Sequence, residues 1–168
     1  MVAARLTPAS WRPMLLPEDV QNYPRPPALE PVPHRLRVEV AGRTVADTAN
    51  GWRVCETHHA PTYYVPRADV ADVLRAARGH SFCEWKGMAS YLDVVVGADV
   101  RPRAAWTYER PVRPFAALAG AVAFYAGAVD AAWVGDLRVE PQPGDFYGGW
   151  VTPNLVGVVK GAPGTEGW

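Results

Sequence analysis

From His34 onward, apolar and polar residues alternate. Leu36, Val38 and Val40 take one set of positions, and Arg35, Arg37 and Glu39 take the other. That is the period of a half-buried strand. Ala41-Gly42 predicts a turn, with residues 44–46 as the returning arm of a hairpin. Residues 53–57 and 62–65 read as two further strands, rich in β-branched and aromatic side chains.

Between Pro66 and Gly79 the period lengthens. Val70, Val73, Leu74 and Ala77 recur at helical spacing, Asp69 falls in the first turn, Arg75 and Arg78 fall near the end, and Gly79 supplies a stop. These signals predict one amphipathic helix. Strand patterns resume over 90–96, closed by Gly97-Ala98, and over 104–108. Pro111 and Pro114 interrupt the chain before a short helical turn at 115–118, and the segments 121–125 and 130–139 predict another hairpin.

The flanks read differently. Residues 1–33 hold eight prolines, from Pro8 to Pro33, which predicts an extended or irregular arm. Trp11, Met14, Leu15, Leu16 and Tyr23 within it are expected to dock on the body or on a second copy. The stretch 140–168 is dense in Gly, Pro and aromatic residues and predicts an ordered loop lying over the sheet. The expected organisation is an arm over 1–33, a β domain over 34–139 and an extension over 140–168. The fold class is mainly β, a compact antiparallel domain with one helix.

The length of 168 residues fits a single domain, and 49 % apolar residues can supply its core. Seventeen basic and seventeen acidic side chains cancel, which argues against a nucleic-acid partner. No apolar run is long enough to cross a bilayer as a helix, and the first residues lack the apolar core of a secretory signal. The expectation is a cytoplasmic protein with no membrane partner. Cys55 and Cys83 are expected to be reduced thiols, and no paired CxxC or clustered His points to a metal. No cofactor is expected either.

Candidate chemistry gathers in three segments. Cys55-Glu56-Thr57-His58-His59 leaves a strand; Tyr63-Tyr64 lies within one; Cys83-Glu84-Trp85-Lys86-Gly87 precedes the strand that holds Tyr91. Cys83 reads as a nucleophile or as a buried apolar thiol. Lys86 is one of only two lysines in an arginine-dominated chain, and reads as an anion ligand, a Schiff-base former or a surface charge. Glu56 would serve as a general base or as the counter-ion of Lys86. Tyr63, Tyr64, Tyr91, Trp85 and Trp106 are the expected pocket walls, while His58 and His59 read as caps or core residues. Phosphate-binding GxxxxGK, GxGxxG, HExxH and GxSxG patterns are all absent.

Arg37-Val38, the turn at 45–48, Glu56, Tyr63-Tyr64-Val65-Pro66, Asp69-Val70, the Cys83 to Gly87 segment, Tyr91, 105–108, Pro111 and 122–125 together resemble a bacterial domain of unknown function, DUF427. The resemblance spans about 34–139 and implies an antiparallel fold of the β-tent kind, without the paired zinc knuckles of zinc-bearing β-tent proteins. A nucleotidyltransferase label attaches to that family, but this chain lacks the paired acidic residues and glycine-rich loop such chemistry would want. The expected function is therefore binding, with or without transformation, of a small polar or anionic molecule around Glu56, Tyr64, Cys83 and Lys86. The alternative is a non-catalytic module that self-associates as a homo-oligomer through its arm and tail; nucleotide transfer ranks third.

Overall fold

The computed structural model describes residues 15–144 and 146–168, so the expected docking of Trp11 and Met14 lies outside the described residues. The alternating segments become strands as their period demands. Glu18–Asp19 is β1, Ala28–Pro31 β2, Leu36–Val40 β3, Arg43–Thr48 β4, Trp52–Cys55 β5 and Thr62–Tyr64 β6. Then follow Leu74–Cys83 (β7), Gly87–Val96 (β8), Asp99–Thr107 (β9) and Val122–Phe124 (β10). Short strands complete the chain: Ala131–Val134 (β11), Leu137–Arg138 (β12), Glu140–Pro141 (β13), Trp150–Val151 (β14) and Leu155–Val156 (β15).

One sheet has the order β12-β11-β3-β4, a second β10-β9-β8-β7, and a third β2-β5-β6. The bridge between Val65 and Val122 joins the third to the second, so β6 continues across β10 into a broad layer. One face of that layer carries Tyr63, Val65, Ala105, Val122 and Phe124, packed with Leu36, Val38, Val40 and Val134 of the first sheet. The other face carries Tyr64, Ala89, Tyr91, Trp106 and Ala123, covered by Phe115 and Leu118. Two apolar layers thus flank one sheet, and the candidate site belongs to the second.

Two sequence expectations are corrected here. The helix between Pro66 and Gly79 does not form. Its start is a single 3-10 turn at Arg67–Asp69, and its remainder enters β7, paired antiparallel with β8 from Leu74↔Val94 to Cys83↔Gly87. Val70, Val73 and Leu74 are buried because the chain turns into the core there. Past Leu74, β7 is an edge strand with mostly exposed side chains, so it shows no alternation for the eye to find. The second correction concerns 121–139. β10 pairs with β9, and the hairpin in this region is β11–β12 instead. The short helical turn expected at 115–118 does form, within Arg113–Leu118.

Both flanks join the body. Ala28–Pro31 pairs with β5 as a strand, and Leu15 packs against the core while Leu16 stays exposed. Trp150 is 1 % exposed, stacks 5.3 Å from Tyr63 and donates its indole N–H to the Phe124 carbonyl at 2.8 Å.

Candidate functional site

Cys83 and Gly87 are cross-strand partners, so Glu84, Trp85 and Lys86 form the three-residue loop of the β7–β8 hairpin. Such a loop needs a left-handed residue where it rejoins the strand, and Gly87 supplies it with φ +108°. The Lys86 carbonyl accepts a hydrogen bond from Val112 N at 2.9 Å, which ties the loop to the body. The motif is therefore a fixed turn at the rim of a cavity of about 270 Å³.

Glu56, Tyr64, Cys83, Trp85, Lys86, Tyr91 and Trp106 all line that cavity. Tyr63 does not. Successive residues of a strand point to opposite faces, so once Tyr64 joins the cavity, Tyr63 must face the other layer, where it meets Trp150. Tyr91 and Trp106 are cross-strand partners on β8 and β9 and build the floor side by side. Trp106 stands 6.5 Å from Tyr64 and 4.5 Å from Tyr125, centroid to centroid.

The Tyr64 hydroxyl is buried with no hydrogen-bond partner among the described residues. Burial, followed by the neighbouring Tyr108, holds it well above the ordinary phenol range. Removing an unsatisfied buried hydroxyl should cost nothing. Tyr64→Phe is thus expected to leave the melting temperature unchanged or raise it; a clear drop would mean that the hydroxyl has a partner in solution. Tyr125 is likewise pushed up, to about 12, by burial first and by Tyr91 second. Tyr64 and Tyr125 are therefore neutral at physiological pH.

Four residues that sequence reasoning did not place in the site build its polar side: His59 and Lys160 line the cavity, while Arg25 braces Glu56 and Gln142 braces His59. His59 Nε2 lies 2.9 Å from Glu56 Oε2, and Arg25 Nη2 approaches the same oxygen at 3.6 Å. Gln142 accepts from Ala60 N at 3.2 Å and donates its amide to the Lys160 carbonyl at 2.9 Å. That arrangement orients the amide N–H at His59 Nδ1, 3.2 Å away. His59 Nδ1 accepts and Nε2 carries the proton aimed at Glu56. The fourth residue, Lys160, enters from the extension with its ammonium 5.5 Å from the Tyr147 ring. Lys86 lines the same cavity, its ammonium 5.7 Å from the Tyr108 ring. Neither lysine makes an ion pair among the described residues.

Burial alone would raise the Glu56 carboxyl. The His59 hydrogen bond, with the Arg25 and Lys86 charges, outweighs it and holds the group below the usual carboxylate value. A depressed carboxyl stabilises the fold above its unfolded titration range, and that contribution is lost as pH falls through the folded value. Glu56→Gln should therefore flatten the acid limb of a melting temperature against pH profile, with little change in slope at neutral pH. An unaltered acid limb would show that Glu56 is not held in this network.

The roof is the segment from Phe146 to Gly149. A side chain at Gly148 would place its Cβ 2.0 Å from the Trp106 ring. Only glycine lets this backbone lie flat on the indole.

A family model described as a domain of unknown function (DUF427) matches residues 28–135. The chain belongs to the DUF427 family. No curated protein matches it. The DUF427 match ends before Gln142, Tyr147, Gly148 and Lys160, so the extension adds a wall and a cation to a cavity whose floor lies in the family domain. Cys55, the other free thiol, faces away from the DUF427 cavity toward Glu30, and burial pushes it up to about 12.

Proposed function

We propose that this DUF427 domain binds a small anionic molecule in the cavity between Lys86 and Lys160. One observation carries the reading. The chain has two lysines in all, and both line the same cavity although they are far apart in sequence. Ammonium groups with no ion pair among the described residues, set among aromatic walls that thin out the water, attract a carboxylate or phosphate more strongly than exposed ones do. The Glu56 carboxylate supplies acceptor oxygens in the same cavity, which suits a ligand that also carries a hydroxyl or amide donor. The Cys83 thiol borders the same space.

Titration calorimetry with inorganic phosphate and with linear carboxylates tests this. Each lysine-to-glutamine change should weaken binding by roughly tenfold, the value of one charge-assisted hydrogen bond, and the double change should remove it. Cys83→Ser should leave affinity within about twofold, since no charge is lost. A Lys86→Gln Lys160→Gln protein that binds these anions like the wild type would sink the reading.

A further inference from the structure

Beside the lysine cavity lies a wider one of about 640 Å³. The two share Tyr91, Tyr125, Phe146, Tyr147, Gly148 and Gly149 in their linings, and so lie against one another. The wider space has a cation of its own. Arg103 lines it, with the guanidinium 4.0 Å from the Tyr91 ring centroid and no ion pair among the described residues. Its backbone is unusual for an arginine. Arg103 sits at φ +49°, inside the register shift between β8 and β9, and its N–H is held by Asp93 Oδ1 at 2.8 Å. A left-handed conformation is unfavourable for a residue with a side chain, and it persists where the surroundings enforce it. Here it brings the guanidinium over Tyr91 and within 3.7 Å of a Cβ position on Gly79. A guanidinium stacked on a ring keeps its N–H edge available for a bidentate oxyanion.

We infer that the Arg103 cavity is a second anion subsite, so that the ligand is two-ended. One oxyanion meets Lys86 and Lys160, the other meets the Arg103 fork, and the connecting body lies against Tyr91 and Tyr125. This deepens the lysine-site reading and rests on it for one end only. A two-ended ligand gains from each site because the second contact is intramolecular once the first has formed.

The test compares linear dicarboxylates, succinate to suberate, with monocarboxylates of matching length by titration calorimetry. The wild type should bind its best dicarboxylate roughly tenfold more tightly than the matching monocarboxylate. Arg103→Gln should abolish that advantage while monocarboxylates still bind at the lysines. Arg103→Lys, which keeps the charge but not the fork, should restore part of it. Arg103 is exposed, so these variants should melt as the wild type does, and the melt is recorded with each titration. A dicarboxylate advantage that survives Arg103→Gln overturns the second subsite and leaves the lysine site standing. An advantage lost with Arg103 but insensitive to both lysines supports an anion site at Arg103 and overturns the lysine end. Binding of neither class overturns both.

Discussion

Trp150→Ala is expected to destabilise the protein by about 3–5 kcal/mol, the usual cost of emptying a large buried aromatic site. The magnitude rests on the near-complete burial of the side chain. The ring packs on Tyr63 and the indole N–H satisfies the Phe124 carbonyl, whereas the backbone bond from Trp150 N to Pro61 O at 2.9 Å is kept by alanine. Trp150→Phe keeps most of the packing but orphans that carbonyl, and should cost about 1–3 kcal/mol. Denaturant titration measures both. Trp150 directly follows the cavity roof, so the alanine variant should also lose anion binding at concentrations where it is still folded. A loss below about 1 kcal/mol would show that the extension rests on the domain without being part of its core.

Arg53→Met is expected to be the next most damaging change. Glu30 of β2 and Arg53 of β5 are cross-strand partners. The guanidinium bonds both oxygens of Glu18, at 2.9 and 2.8 Å, and reaches Glu30 at 3.1 Å; Tyr23 adds a hydroxyl to Glu18 at 2.6 Å. Methionine leaves two partly buried carboxylates without their cation. Breaking a buried pair costs about 3–5 kcal/mol, and the partial exposure of Glu18 and Glu30 brings the expectation to roughly 2 kcal/mol. The pH dependence separates charge from packing. Burial would raise the Glu18 carboxyl, but the Arg53 and Tyr23 bonds outweigh it and hold it low. In the wild type this contribution is present above the ordinary carboxylate range and is lost as pH falls through the folded value. Without Arg53, burial is opposed by less and Glu18 protonates more readily. The gap between variant and wild type should therefore narrow on acidification. A gap independent of pH would assign the loss to packing alone.

In the first sheet β3 was legible from alternation, because it buries one face against the core and half-exposes the other, and β4 followed from the Ala41-Gly42 turn. The Cys83 to Gly87 segment was legible as a place to look, since it sets a thiol, a carboxylate and one of two lysines beside aromatic residues. β7 was not legible. A hairpin arm that projects at a sheet edge buries little, so its residues carry no period-two signal, and four apolar positions at its root mimicked a helical face. The pairing of Tyr63 with Tyr64 as joint pocket walls failed for a simpler reason, since neighbours on a strand cannot face the same way.

Sequence alone determined that this chain is a mainly β member of the DUF427 family, with reactive and aromatic residues gathered in the Cys83 to Gly87 segment before the Tyr91 strand. Tertiary structure decided which of those residues meet. Lys160, Gln142 and Gly148 lie in a segment without periodicity; Gly148 reaches Trp106 through a backbone that only glycine allows, while Gln142 and Lys160 reach the body through long-range contacts at Ala60, His59 and His58. His59 became a partner of Glu56 because Gln142, distant in the chain, orients its ring. Such contacts depend on how the elements close in space, and local pattern carries no record of them.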